Sequence, residues 1–262
     1  MLFGCCIPSR NYKTAEQAGF DFVEFSGAEI FDMPNVEFEQ VCKNVRAGKI
    51  PCVSFNSYCK GAPAIVGEEF DIELVSKYAE YLCERAAILG VSMIGIGAPN
   101  ARKLTPSFKN ELADLQCKTF LKITADAAEA HGIRVNFEQL NPSVCEYGTS
   151  TEKVVSLVRE VRVGNLALVV DFYHRAIAGE PVCDFVGFQD LICHTHISTC
   201  GTNLERGYPD MKDFSYYVEI LSALKKAGYN GTMSIEAPTE NLLRQGEEAL
   251  KMLRLADLES GG

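Results

Sequence analysis

The stretch Gly132-Ile133-Arg134-Val135-Asn136-Phe137-Glu138 holds a helix stop, a strand and a carboxylate within seven residues. Glycine suits the left-handed residue that follows a helix end. The residues after it read as a short strand, and the strand closes on an acid. The same order recurs along the chain. Helical segments also stop at Gly19, Gly90, Gly164 and Gly228, and a strand follows each within a few residues. Repeated helix–glycine–strand units predict parallel strands joined by crossover helices.

Strands are expected at Leu2–Cys6, Phe22–Phe25, Cys52–Phe55, Met93–Gly97, Arg134–Glu138, Ala167–Asp171, Ile192–Ile197 and Thr232–Glu236. Between them, Ile72, Val75, Ala79, Leu82, Ala86 and Leu89 recur at three and four, as one face of a helix does. Phe214, Tyr217, Val218, Leu221 and Leu224 repeat the pattern. About eight units without a GxGxxG favour a closed (β/α)₈ TIM barrel over an open doubly wound sheet. At 262 residues the chain fits one such barrel, and no linker or low-complexity stretch divides it, so 1–262 is read as a single domain.

Net charge is −10, which excludes a polyanionic partner such as nucleic acid, because phosphate backbones select basic stripes. No apolar run approaches the ~20 residues of a membrane span, so no membrane partner is expected. Residues 1–10 lack a basic region followed by an apolar one, so the expected compartment is cytoplasmic. The eleven cysteines are scattered, odd in number and without a CxxC. They are read as reduced, mostly buried thiols rather than a disulfide framework.

Four strands carry residues that apolar strands avoid. Val135–Glu138 ends in glutamate, Leu168–Asp171 in aspartate and Met233–Glu236 in glutamate, while Cys193–His196 holds two histidines. In a barrel the strand C-termini converge on one face, the usual place for chemistry. Three acids there repel one another, and a divalent cation removes the repulsion. Glu138, Asp171, His196 and Glu236 are therefore the expected ligands of one divalent metal. Oxygen-rich ligation with one imidazole suits Mn²⁺ or Mg²⁺ and accepts Co²⁺ or Zn²⁺. Each ligand alone reads equally well as a surface or capping residue. Their occurrence on strands 5 to 8 together is what carries the reading.

Strand period puts Asn136, His194 and Ser234 one layer deeper. His194 is expected beneath the metal rather than on it, and Asn136 and Ser234 to orient the carboxylates above. His174 falls just past strand 6, over the site. Arg206 lies in the polar loop 198–210 after strand 7, where an arginine binds substrate oxygens or is a plain surface charge. Cys6, Glu24 and Asn56 end strands 1 to 3 as candidates to line the pocket. His131, beside Gly132, is given no chemical role.

Together these stretches resemble the sugar isomerase/epimerase superfamily of xylose-isomerase-like barrels. The carrying pieces are Asn136-Phe-Glu138-Gln-Leu-Asn141, Val170-Asp171-Phe-Tyr-His174, His194-Thr-His196-Ile and Ser234-Ile-Glu236-Ala, with Arg206 upstream of Asp213-Phe214. The resemblance covers nearly the whole chain and is strongest from Gly132 onward. Its nearest branches are the ketose 3-epimerases, the hydroxypyruvate isomerases and the inositol-pathway enzymes. It implies that Glu138 and Glu236 are an acid/base pair as well as metal ligands, and that His174 and Arg206 bind a small sugar. It also implies Mn²⁺ as the first choice of metal and a homodimer or homotetramer. The implied reaction is isomerisation or epimerisation by proton transfer through a metal-bound enediolate. A keto-inositol dehydratase or isomerase on the same site, and a barrel that only binds sugar, are the alternatives. The endonuclease IV branch is set aside, since strands 3 and 4 end without histidine. Two departures leave the substrate open. Val144 stands where ketose epimerases carry a further glutamate, with Glu146 a candidate substitute, and the spacing from His196 to Arg206 is long.

Overall fold

In the computed structural model, which describes residues 1–200 and 205–261, eight parallel strands close into a barrel. They are β1 (Leu2–Cys6), β2 (Phe22–Ser26), β3 (Cys52–Asn56), β4 (Met93–Ile96), β5 (Arg134–Glu138), β6 (Leu166–Asp171), β7 (Ile192–Ile197) and β8 (Thr232–Ile235). Each strand pairs with its neighbour in sequence, and β8 closes on β1 through Leu2↔Thr232 to Cys5↔Ile235. Helices lie between the strands, as the glycine-punctuated pattern predicts.

The outward residues Val135 and Phe137 are fully buried, as are Cys117, Phe120 and Leu121 of the helix Asn110–Glu129. Burying a side chain of this size contributes about 1.5–3 kcal/mol. The helix Ile72–Leu89 buries Val75, Ala79, Leu82, Ala86 and Leu89. Ile72 is the one member of the expected face left outside. Asp71 caps this helix by accepting from the Glu73 and Leu74 N–H groups, and Gly90 ends it at φ 81°. Inside the barrel, a Cβ on Gly4 would fall 2.2 Å from the Phe22 ring. Glycine there lets Phe22 lie across the interior, edge-on to His194.

The expected strand limits shift by one residue at several ends. β2 and β3 each run one residue further, because Ser26 still pairs with Asn56. β6 starts one residue earlier, at Leu166, which pairs with Val135. β4 and β8 stop one residue short, so Gly97 and Glu236 lie just past their strands; the Glu236 N–H nevertheless donates to the Ile197 carbonyl. The helix Thr151–Val161 ends at Arg162 with φ 57°, not at Gly164, because Arg162 itself takes the left-handed turn. A short hairpin of Thr199–Cys200 with Arg206–Gly207, absent from the sequence reading, follows β7. Residues 201–204 of the expected polar loop lie outside the described residues. All ten cysteines whose side chains are described are free thiols. Among the described residues no helix is long and apolar enough to cross a membrane.

Candidate active site

Strands β5 to β8 bring Glu138, Asp171, His196 and Glu236 together at the C-terminal end of the barrel. Each offers one ligand atom, and these atoms all lie within 4.8 Å of one another. Asp171 doubles as a helix cap: its Oδ1 accepts from the Tyr173 N–H at 2.8 Å, which fixes the carboxylate and leaves Oδ2 facing the cluster. His196 Nδ1 stands 3.4 Å from Glu138 Oε1 and 3.3 Å from Glu236 Oε2. At 4.8 Å, two carboxylates repel by about 3.5 kcal/mol at an effective dielectric constant of about 20. Positive charge is needed to hold three of them here.

Part of that charge is Arg206. Its Nη2 donates to Asp171 Oδ2 at 2.6 Å, and its Nη1 donates to Glu236 Oε2 at 2.8 Å and to the Glu236 carbonyl at 3.1 Å. The guanidinium stacks on the Tyr173 ring, 4.2 Å from its centroid. Burial alone would raise the Glu236 carboxyl, but Arg206 and then His196 outweigh it and hold it far below the usual carboxylate range. For His196 burial pulls down, while Cys6, Glu24 and Glu236 push up, and the net shift is well upward. The Cys6 thiol is itself raised by burial and so uncharged at neutral pH; the two carboxylates therefore carry the effect.

A divalent cation fits the chemistry of this donor set. Glu138 Oε1 and His196 Nδ1 are both buried without a hydrogen-bond partner among the described residues, and they face each other. Buried polar atoms of this kind call for a ligand. Three carboxylates and one imidazole nitrogen suit a hard or borderline divalent ion.

His174 stands beside the cluster, with Nε2 3.7 Å from Asp171 Oδ2 and 2.9 Å from Arg206 Nη2. The Asn141 backbone N–H donates to its Nδ1, and Arg206 Nη2, which can only donate, faces its Nε2.

Above the cluster opens a cavity of about 590 Å³, within the usual range for small-ligand sites. Of the expected residues, Cys6, Glu138, His174, Arg206 and Glu236 line it. Asp171 and His196 lie beneath. Glu24 and Asn56 do not line it: Glu24 is fully buried under His196, and Asn56 leaves the wall to Ser57. Val144 is on the wall, whereas Glu146 is not. Asn136 and Ser234 make no hydrogen bond to the carboxylates above them, because the side chains two residues apart point along separate layers. Ser57, Lys60, Asn100 and Leu140 also line the cavity, from segments past the strand ends with no periodic signal in sequence. Arg102 was equally invisible. It is fully buried, donates to the carbonyls of Ile96 at 2.6 Å and Glu138 at 2.8 Å, and so ties the ends of β4 and β5 together.

Known proteins share this architecture. The structure superimposes on D-psicose 3-epimerase from Clostridium cellulolyticum H10, solved with D-tagatose, with a TM-score of 0.77 at 18% identity, covering 98% of this chain and 99% of that one. For the 3-keto-D-glucoside 4-epimerase YcjR from E. coli the values are 0.78, 18%, 97% and 99%. For the IolI protein with a bound zinc atom they are 0.71, 18%, 99% and 98%. In sequence, an uncharacterized protein of Methanocaldococcus jannaschii is 26% identical over 157 residues, covering 57% of this chain. The match spans about half of that relative, 52% of its length. Residues 12–256 match the family described as the xylose isomerase-like TIM barrel. The chain belongs to that family.

Proposed function

We propose that the protein is a divalent-metal-dependent isomerase or epimerase of a small ketose, moving a proton between Glu138 and Glu236. The observation that carries this reading is the convergence of four candidate ligand atoms within 4.8 Å beside a cavity of small-ligand size, with Glu138 Oε1 and His196 Nδ1 left unpaired among the described residues. The resemblance to sugar epimerases supports it. Glu138, Asp171, His196 and Glu236 would hold the ion, with Mn²⁺ the first choice. When bound, it would polarise a substrate carbonyl and acidify the neighbouring C–H.

The protein's own groups do the rest. Glu138 and Glu236 enter the cavity from β5 and the end of β8, so a substrate carbon between them meets a carboxylate on each side. One takes the α-proton and the other returns one, to the opposite face in epimerisation or to the adjacent carbon in isomerisation. Arg206, with His174 beside it, is placed to bind a substrate oxygen and stabilise its developing charge. Val144 gives the wall an apolar patch where ketose epimerases carry an acid, so the distal end of the substrate meets carbon rather than carboxylate.

The test has two parts. Metal content of the purified wild type is compared with Glu236→Gln, and a ketose panel is then run in D₂O. About one ion per chain, weakened in the variant, and deuterium wash-in beside the carbonyl are expected. Loss of water from a keto-inositol would mark the dehydratase instead. No ion in the wild type after adding Mn²⁺ or Co²⁺ would sink the proposal and leave a sugar-binding barrel.

A further inference from the structure

Beneath the candidate metal ligands lies a second set of buried polar side chains that the proton transfer does not use. Glu24, on β2, is fully buried. Its Oε1 accepts from His194 Nε2 at 2.6 Å and stands 3.4 Å from His196 Nε2. His194 Nδ1 in turn meets Thr232 Oγ1 at 2.7 Å. The Phe22 ring, admitted by Gly4, packs edge-on against His194 and holds its plane. Three strands, β2, β7 and β8, thus contribute to one row in which Thr232, His194 and Glu24 are hydrogen-bonded and the Glu24 carboxylate stands 3.4 Å from the imidazole of a candidate metal ligand.

His196 also belongs to a second potential metal group, with Cys6 and Glu24. That group would use Nε2, whereas the Glu138–Asp171–Glu236 group uses Nδ1. One ring cannot supply an unprotonated Nε2 to the Cys6–Glu24 group and hold an Nε2–H toward Glu24 at the same time. The two sites therefore exclude each other, and whatever fixes the hydrogen on Nε2 decides between them.

We infer that Glu24, held by His194 and Thr232, is a positioning residue that keeps the His196 hydrogen on Nε2 and so commits Nδ1 to the divalent cation. The unpaired Nδ1 facing Glu138 and Glu236 is the other half of the same arrangement. Partners that fix a ligand histidine from behind typically account for about 10–100-fold in metal affinity. Cys6, 4.0 Å from Nε2, then lines the cavity as a thiol and takes no part in binding the ion. This inference rests on the metal reading above, and the test separates the two.

Co²⁺ is titrated into the full chain and followed by absorbance, for wild type, Glu24→Leu, Glu24→Gln, Thr232→Val and Cys6→Ser. The expected wild-type spectrum lacks a thiolate charge-transfer band, and Cys6→Ser binds as the wild type does. Affinity falls about 10–100-fold in Glu24→Leu, less in Thr232→Val, and recovers in part in Glu24→Gln, whose amide oxygen still accepts from Nε2–H. Thr232→Val removes only one hydroxyl and keeps the test open should Glu24→Leu not fold. A thiolate band abolished by Cys6→Ser overturns the inference, as does unchanged affinity in the folded Glu24 and Thr232 variants. Long-range ¹⁵N–¹H correlation on the ion-free wild type, at a pH where the ring is neutral, reads the hydrogen directly: a hydrogen on Nε2 supports the inference and one on Nδ1 overturns it. Absence of Co²⁺ binding in the wild type would sink the metal reading alone, because the nitrogen experiment needs no metal.

Discussion

Replacing Arg206 by alanine should destabilise the metal-free protein and, at the same time, enlarge the stabilisation that Mn²⁺ gives. The substitution removes the donor contacts to Asp171 Oδ2 at 2.6 Å and Glu236 Oε2 at 2.8 Å. Hydrogen bonds to charged groups contribute about 1.5–3 kcal/mol each. The Arg206 and Glu236 side chains are 18% and 26% exposed, so solvent screening places the pair of contacts near the lower limit, at about 3 kcal/mol. For a chain of this size about 1 kcal/mol moves Tm by about 2–4 °C, which predicts a fall of about 6–12 °C in EDTA. A saturating ion stabilises by mass action. In the variant it also neutralises Asp171 and Glu236, a task that Arg206 performs in the wild type. Melting curves of both proteins, with EDTA and with Mn²⁺, give the comparison. An unchanged melt in EDTA, or equal Mn²⁺ shifts in the two proteins, would refute the idea that guanidinium and cation share these oxygens.

Three further outcomes follow from the same geometry. Glu138→Gln and Glu236→Gln should each lower kcat by about 10²–10⁴ in the ketose assay; a change confined to KM would count against their acid/base roles. Ion uptake near neutral pH should release a proton. His196 is raised, so its stabilising contribution is full below about pH 6.5 and declines as pH rises through its folded value; Glu236 is depressed, so its contribution is full above about pH 4.3 and is lost as pH falls through its lowered value. Binding at Nδ1 must displace the His196 proton, and calorimetry in buffers of different ionisation enthalpy reads it; buffer-independent heats would refute this. Gly97→Ala should weaken Mn²⁺ binding, because the new Cβ would lie 2.5 Å from Glu138 Oε2 and must push the carboxylate aside. Overpacking of this kind costs about 1–3 kcal/mol, so the EDTA melt should fall only modestly while affinity, measured by Co²⁺ titration, drops.

The barrel and the convergence of Glu138, Asp171, His196 and Glu236 were legible in sequence for one reason: both are periodic. Helix faces, glycine stops and strand-end acids repeat, and the closed sheet turns that repetition into convergence at one rim. What escaped was set by neighbours rather than by period. Glu24 reads from sequence as a strand-end acid that could line the pocket, yet the parallel register places it below His196, where His194 is its partner. Arg102 carries no local signal in sequence, and only the fold shows that it reaches two strand-end carbonyls. Ser57 and Lys60 reach the cavity from the loop after β3, and Asn100 from a short 3₁₀ turn, along paths that no local pattern encodes. The helix stop at Arg162 was missed because a non-glycine residue took the left-handed conformation.

The buried ionisable groups alternate along the barrel: His194, then Glu24, then His196, then the three acids, then Arg206. Burying an unpaired charge costs several kcal/mol, and alternation is how a barrel with so many interior acids avoids that cost. The alternation is incomplete at the rim. Four acids, Glu24, Glu138, Asp171 and Glu236, stand against the two raised cations His196 and Arg206, which leaves two negative charges. A monovalent ion that displaced the His196 proton would leave that balance where it was. A divalent ion displacing the same proton removes one negative charge, and it can reach the atoms that lack partners, Glu138 Oε1 and His196 Nδ1. Charge arithmetic and unpaired atoms therefore select the same occupant at the same place, and they select a divalent ion over a monovalent one.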